Sequence, residues 1–330
     1  MTRAAIDTGR SPVRRTGRRA ALLGAIAAVL ALATAGPAGA ATPAPAVSTG
    51  GARDVGYASA VLIGTVDPKG SDTSYYFQYG PTRAYGGQTA IANAGAGAKS
   101  VSISLPVNGL QPITVYHYRL VAVNAGGATL GSDRTLLTTK VPLSLAILAS
   151  PNPVVFGGPV LIQGTLSGTG NANREVVLRA NAFPFTAGFQ DVGNAELTNA
   201  AGGFSFTLLD ASLVTQFQVV TTTKPAVASP VTTENVAVQV TSHVAKTRRR
   251  GFARIYGTVT PAETGQQVGI LRIAGGRGVL AGGTVLKANG TTTSSSFSRV
   301  VRVQKGVYRV LVRVVGAGQI SNYGQPLLIR

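Results

Sequence analysis

Cysteine and tryptophan are absent from this chain of 330 residues, which contains only two histidines and eleven acidic residues. Without cysteine it has no disulfide, no thiolate metal ligand and no thiol nucleophile, so its stability must come from hydrophobic cores. The scarcity of acids and imidazoles leaves few groups for general acid–base chemistry. These absences argue against an enzyme, and we expect no cofactor.

The titratable residues that are present form no catalytic or metal-binding pattern. His117 and His243 are far apart in the sequence, and we interpret both as solvated structural residues. Asp67, Asp72 and Asp133 lie outside any D-x-D-x-D-G loop, so we interpret them as turn residues rather than calcium ligands. The chain also lacks the G-x-S-x-G and S-x-x-K sequences of serine nucleophiles. The sequence therefore predicts no catalytic residue and no metal ligand.

The N-terminal segment has the composition of an export signal. Arginines precede an apolar stretch over residues 20–35, and small residues at 38–40 match a signal-peptidase site. The stretch is shorter than the roughly 20 residues that cross a bilayer as a helix. We expect cleavage after Ala40 and a secreted product with no integral membrane span. A retained anchor is the alternative, and Arg18-Arg19 fits either general or twin-arginine export.

A short motif recurs at a spacing that suits β-sandwich modules. The sequences IGTV, QGTL and YGTV place the glycines Gly64, Gly164 and Gly257 100 and then 93 residues apart. About 100 residues is the size of one immunoglobulin-like sandwich, and abundant Thr and Val with frequent turn residues favour strands. The sequence thus predicts an all-β chain of tandem β-sandwiches. The predicted divisions are a signal peptide at 1–40 and modules at 41–141, 142–243 and 244–330.

The first module resembles a known family. Residues 110–126, LQPITVYHYRLVAVNAG, resemble the late-strand signature of fibronectin type III domains. Residues 75–86, YYFQYGPTRAYG, resemble the preceding strand in versions common in secreted actinobacterial proteins. The resemblance covers about residues 45–140 and implies that Tyr116 is a tyrosine-corner residue, whose hydroxyl bonds to backbone a few residues upstream. The tryptophan that this family usually buries is missing, so the core must be packed differently.

The later modules resemble bacterial immunoglobulin-like sandwiches more generally. The pair Gly275-Gly276 predicts a hairpin loop rather than a phosphate-binding loop, because no helix pattern follows it. Residues 304–307, QKGV, predict a second hairpin turn that joins two long strands. We interpret Lys246 and the arginines at 248–250 as a linker.

Positive charge is concentrated at the C-terminal end. Residues 41–243 contain ten basic and nine acidic residues, whereas residues 244–330 contain fourteen basic residues and one acid. In the hairpin predicted at 304–307, Arg302 would lie opposite Arg309, with Arg313 further along the same face. Because like charges opposite each other cost stability, these three arginines are candidate anion-binding residues. The alternative is a solvated face that keeps the protein soluble.

These observations favour a secreted, non-enzymatic protein of several modules with a structural or adhesion role at the bacterial cell envelope or exterior. The first alternative is a binding module for anionic polymers, namely wall polymer, acidic glycan or nucleic acid, that acts through the basic C-terminal module. The second is a carbohydrate-binding accessory protein, which the absence of tryptophan disfavours. We expect anionic envelope polymers or acidic glycans as partners and do not expect nucleic acid as the physiological one.

Export with cleavage would leave a defined product. We predict that the mature chain begins at or near Ala41 and is free of the membrane. Mass spectrometry of the N-terminal peptide, from culture supernatant and from cell fractions, checks this. A full-length species in the membrane fraction would contradict it.

Overall fold

The computed structural model describes residues 41–316 and 318–330, so the predicted signal peptide lies outside the described residues. This part of the chain contains strands, turns and loops but no helix, and hence none that is long and apolar enough to cross a membrane. Within these residues the strands pair antiparallel, except for Val154–Val155 with Val236–Ala237, which is parallel and is continued by a parallel bridge from Ala237 to Ile320. The all-β fold class, a series of immunoglobulin-like sandwiches, is confirmed.

The first sandwich contains nine strands. They are β1 (Ala46–Thr49), β2 (Ser59–Asp67), β3 (Thr73–Gly80), β4 (Gly87–Gln88), β5 (Ala92–Gly95), β6 (Val101–Asn108), β7 (Val115–Asn124), β8 (Gly127–Leu130) and β9 (Arg134–Leu137). One sheet has the order β1-β2-β6, and the other is built around β3 and β7. Phe77, Tyr118 and Leu120 are fully buried between them. These aromatic and aliphatic side chains occupy the core in the absence of a tryptophan.

The second sandwich also contains nine strands. They are β10 (Ser144–Ser150), β11 (Val154–Val155), β12 (Gly158–Ser167), β13 (Glu175–Ala182), β14 (Gln190–Leu197), β15 (Gly203–Ala211), β16 (Thr215–Thr221), β17 (Thr232–Glu234) and β18 (Val236–Ala237). The sheet β10-β12-β15 faces the sheet β14-β13-β16-β17. Ile162, Leu166 and Leu178 are fully buried in its core.

The third sandwich contains ten strands. They are β19 (Gln239–Val240), β20 (His243–Lys246), β21 (Phe252–Thr260), β22 (Gln267–Ala274), β23 (Arg277–Val285), β24 (Lys287–Ala288), β25 (Ser295–Arg302), β26 (Gly306–Arg313), β27 (Asn322–Tyr323) and β28 (Leu327–Ile329). One sheet has the order β19-β21-β25-β24, with β20 also paired to β21. The other has the order β23-β22-β26-β27, with β28 also paired to β26.

The third sandwich begins earlier in the chain than the sequence suggested. Its core includes Val238 and Val240, which precede the predicted boundary at residue 244. Lys246, interpreted above as linker, instead belongs to β20 and lies opposite Ala253 of β21. That interpretation was wrong because the basic residues at 248–250 dominate the composition there. They form the turn between β20 and β21 rather than a connection between modules.

The second and third sandwiches share backbone hydrogen bonds where they meet. The amide of Val154 donates to Asn235 O (2.9 Å), and the amide of Ile320 donates to Val236 O (2.8 Å). Val214 N also donates to Gly318 O of the third module (2.7 Å). The chain segment that joins the two modules is therefore hydrogen-bonded to both of them and is not a free linker.

Of the two hairpin turns predicted from the sequence, one is present in the structure and the other is not. Gly275 and Gly276 both have positive φ angles, 57° and 77°, and join β22 to β23, in which Ala274 pairs with Arg277. A two-residue turn of this kind needs positive φ at both positions, so this hairpin is confirmed. The turn predicted at 304–307 is not a hairpin turn. β25 pairs with β21 in one sheet, and β26 pairs with β22 in the other.

A buried tyrosine marks this crossing between sheets. The amide of Gln304 donates to the hydroxyl of Tyr308 at 3.0 Å, and Tyr308 is only 1% exposed. In the first sandwich the amide of Gln111 donates to the hydroxyl of Tyr116 at 2.9 Å, at the crossing from β6 to β7. Val-Tyr, followed by alternating apolar residues, occurs at both places. That likeness is the sequence signal that could have identified a crossing instead of a hairpin.

The repeated glycine occupies equivalent positions in all three sandwiches. Each lies on the core-facing side of β2, β12 or β21, opposite a bulky side chain on the next strand. The opposing residues are, in order, Ile103, Phe204 and Phe297. A Cβ on Gly64 would lie 2.8 Å from Ser48 O, and one on Gly164 would lie 2.7 Å from Ala146 O. Because a backbone carbonyl cannot easily move aside, only glycine fits at these positions.

We predict that Gly257→Ala destabilises the third sandwich by about 1–3 kcal/mol, the usual cost of overpacking. A Cβ there would lie 2.9 Å from Phe297 Cζ and closer still to Thr241 O. Hydrogen–deuterium exchange of the β21 and β25 amides measures the effect. Gly269→Ala is the matched control, since the nearest atom to its Cβ would be 3.6 Å away. Equal protection in the two variants would contradict the prediction.

Candidate anion-binding face

The three arginines predicted to share one face lie in different sheets. Arg302 is at the end of β25 and opposite Phe252 of β21. Arg309 and Arg313 are on β26, opposite Leu271 and Gln267 of β22 in the facing sheet. The prediction of a common site for the three was wrong, because it depended on β25 and β26 forming a hairpin.

Arg302 instead belongs to another cluster, on the outer side of the sheet formed by β20, β21 and β25. The outward positions of β21 alternate with core residues such as Ile255, which is fully buried. The register places His243 of β20 beside Tyr256 and Val300 of β25 beside Arg254. We call this surface the arginine–aromatic face. It comprises His243, Arg249, Phe252, Arg254, Tyr256, Val300 and Arg302.

Aromatic rings hold two of the guanidinium groups. Arg249 Cζ lies 4.1 Å from the centroid of the Phe252 ring, and Arg254 Cζ lies 4.6 Å from that of Tyr256. The imidazole of His243 lies on the same tyrosine, with ring centroids 5.6 Å apart and planes inclined by 35°. Such cation–π contacts orient the guanidinium plane while its N–H edges stay free. Arg249 and Arg254 thus present oriented donors on this face.

No acidic side chain neutralises this face within the described residues. The four ion pairs found there all lie in the first two sandwiches. Glu263, the one acid after residue 243, is 7% exposed. The described surface of the third sandwich therefore carries cationic side chains without exposed carboxylates. A positive field of this kind attracts anions and weakens as salt is added.

The geometry suits the binding of oxyanions. Guanidinium groups form paired N–H···O bonds with carboxylate, sulfate or phosphate groups. Arg254 and Arg302 occupy diagonal positions on neighbouring strands, since Val300 pairs with Arg254, and diagonal neighbours are about 7–8 Å apart. Two anionic groups along one polymer could contact both arginines. Only Arg302 was singled out from the sequence, because Arg254 and Tyr256 are brought to it by strand pairing.

The polar cluster of the first sandwich is already saturated. Asp133 Oδ2 lies 2.8 Å from His117 Nδ1, and its Oδ1 accepts a hydrogen bond from the Tyr85 hydroxyl at 3.0 Å. Arg83 Nε also donates to Asp133, at 3.3 Å. Partial burial would raise the pKa of Asp133, but the hydrogen bonds from His117 and Tyr85 outweigh it and hold that pKa below its usual range. His117 is therefore hydrogen-bonded to Asp133 and only partly exposed, which corrects its interpretation as solvated.

The other titratable residues considered in the sequence also have structural contacts. Asp67 accepts the amide of Lys69 at 3.1 Å, as a turn residue does, and Asp72 accepts a bond from Asn93 at 2.9 Å. His243 is exposed, as expected, and stacks on Tyr256 of the neighbouring strand. Among the residues that the structure describes, no three His, Asp or Glu side chains are grouped as a metal site would require.

Comparisons with known proteins give no family. No family model matches the chain, and no curated protein matches it. One similar solved structure is a tetra-tandem repeat from the extending region of a large adhesion protein, with 17% identity over 86% of this chain and 74% of that one, and a TM-score of 0.26. The chicken CNTN1 FN1–FN3 domains share 15% identity over 84% and 95%, with a TM-score of 0.27. At these identities and TM-scores, the comparisons assign no ligand or function to this chain.

Two buried glutamates in the later sandwiches have raised pKa values. Glu234 is 1% exposed; its Oε1 accepts the Val154 amide at 3.0 Å, while Oε2 has no partner among the described residues. Burial raises the pKa of Glu234, against that hydrogen bond, and burial also raises the pKa of Glu263. The folded state therefore holds both protons more tightly than the unfolded chain. The stability that this gives is lost as pH rises from about 4.3 through the folded pKa values.

We predict that Glu234→Gln combined with Glu263→Gln removes the loss of folding stability that accompanies rising pH. Relative to the parent, the double variant should become more stable between about pH 4 and pH 7, because it has no carboxylate to bury at neutral pH. Urea unfolding of the full chain across this range measures the difference. Glu175→Gln with Glu196→Gln is the control, since both glutamates are exposed. The same pH response from both pairs would rule out a role for burial.

Proposed function

We propose that the chain is an exported, non-enzymatic adhesion or structural protein that attaches to anionic polymers through its third sandwich. The observation that carries this proposal is the arginine–aromatic face, whose stacked guanidinium groups have no acidic neighbour in the described part of the chain. Carboxylated or phosphorylated polymers of the cell envelope are the partners that this chemistry favours. The export pattern of residues 1–40 supports a location outside the cytoplasm.

The modular architecture supports an adhesion or structural role. Three separate hydrophobic cores follow one another along the chain. Backbone hydrogen bonds made by residues 235–238 connect the second sandwich to the third. The third sandwich, which bears the arginine–aromatic face, is therefore hydrogen-bonded to the second. We also assign the first sandwich to the fibronectin type III class, supported by the hydrogen bond from Gln111 N to the Tyr116 hydroxyl.

The face contributes orientation in addition to charge. A mobile lysine or arginine loses side-chain entropy when it binds, whereas a guanidinium already stacked on a ring has lost part of it beforehand. The face should thus bind more tightly than the same number of charges scattered over the module. An experiment can test this by comparing the affinity lost on removing arginines of the face with that lost on removing the same charge elsewhere in the module.

We predict that Arg254→Gln with Arg302→Gln weakens binding of the full chain to polygalacturonate by about tenfold or more. Titration calorimetry at low salt measures the affinity. Arg277→Gln with Arg313→Gln is the matched control, because it removes the same charge from exposed positions in the facing sheet. The control should lose much less affinity, and binding of the parent should fall steeply between about 50 and 200 mM salt.

Three results would overturn the proposal. Equal losses in the two double variants would leave only general basicity, and absence of binding at low salt would leave a solvated face. Tighter binding to neutral dextran than to polygalacturonate would favour the carbohydrate-binding alternative. Single-stranded DNA serves as a further comparison, for which we expect weaker binding than for the acidic glycan.

A further inference from the structure

A cavity of about 550 Å³ lies at one end of the third sandwich, between the edge strands of the two sheets. Phe252 of the arginine–aromatic face borders it, but none of the arginines of that face lines it. We call it the end cavity; the lining residues that matter here are Val244, Lys246, Val303, Lys305, Leu328 and Ile329. Cavities of a few hundred to a thousand cubic ångströms are the usual size of small-molecule sites. Its volume is thus sufficient for a ligand larger than water.

The floor of the end cavity is apolar and continuous with the core. Val303 and Ile329 pack against the buried cluster of the third sandwich. Val244 lies opposite the fully buried Ile255 on the same side of the sheet, yet it is 39% exposed. Because β20 pairs only with β21 among the described residues and is an edge strand, the core side of the sheet meets solvent here. An apolar group that entered would remove this surface from water, which is favourable.

The rim of the end cavity is cationic. Lys246 extends from β20 and Lys305 from the turn between β25 and β26, and both side chains are exposed. No aspartate or glutamate side chain lines the cavity, and neither lysine has an acidic partner among the described residues. The rim therefore adds attraction for an anionic group at the mouth to the apolar attraction of the floor.

We propose that the end cavity binds an amphipathic anion, with its alkyl chain on the apolar floor and its carboxylate between Lys246 and Lys305. A purely apolar ligand leaves the two ammonium groups without an anionic partner, and a small anion leaves the apolar floor exposed to water. Only a molecule with both parts satisfies both halves of the site. This inference does not rest on the polymer-binding function, because Arg254 and Arg302 project from the outer side of the sheet.

Dodecanoate, below its micellar concentration, is the probe, and titration calorimetry of the full chain is the measurement. Dodecanoate should bind more than tenfold tighter than octanoate, because each buried methylene adds about fourfold in affinity. Lys246→Gln with Lys305→Gln should weaken dodecanoate about tenfold, with little effect on dodecan-1-ol. Val244→Ser, at a partly exposed edge position, should weaken both ligands.

The control pair is Lys287→Gln with Arg313→Gln, which removes the same charge at the opposite end of the sandwich. Unchanged urea unfolding in each variant shows that the fold is retained. Equal weakening by the two pairs, equal affinities for octanoate and dodecanoate, or no binding of dodecanoate at millimolar concentration would each overturn the proposal. Loss of polygalacturonate binding alone would count only against the polymer-binding function.

Discussion

Each sandwich depends on a close contact between a glycine of β2, β12 or β21 and a backbone carbonyl of the earlier segment that is hydrogen-bonded to that strand. At Gly64, Gly164 and Gly257 there is no room for a Cβ, and a bulky side chain on the next strand fills the space above the glycine. A shift of one residue in register would turn every side chain of the strand to the other face. By holding Gly257 inward, the contact also holds Arg254 and Tyr256 outward.

The second constraint is the crossing between sheets that precedes β26. Gln304 N is satisfied by the Tyr308 hydroxyl instead of by a hairpin partner, so the chain leaves one sheet and enters the other. This crossing separates Arg302 from Arg309 and Arg313 and leaves it beside Phe252. The same crossing brings Lys305 to the end of the sandwich, where the apolar floor of the end cavity is exposed.

Fourteen basic residues and a single acid, which is buried, give the third sandwich its positive surface. Glu263 could have reduced the surface charge, but it is enclosed, and its pKa rises in consequence. The first sandwich shows the opposite arrangement, in which Asp133 is surrounded by His117, Tyr85 and Arg83. Cationic side chains are therefore paired near Asp133 and unpaired on the arginine–aromatic face. The anion binding that we propose is therefore placed in the third sandwich.

The sequence by itself determined the features that depend on neighbouring residues. Alternation around Tyr116 and Tyr118 marks a strand, the repeated glycine counts the modules, and Gly275-Gly276 marks a hairpin, because each reflects local backbone geometry. Only the tertiary structure decided which strands share a sheet. Arg254 meets Arg302, and His117 meets Asp133, through pairings between distant segments. Such pairings are selected by the packing of both sheet faces, and a local turn pattern such as QKGV contains no information about that packing.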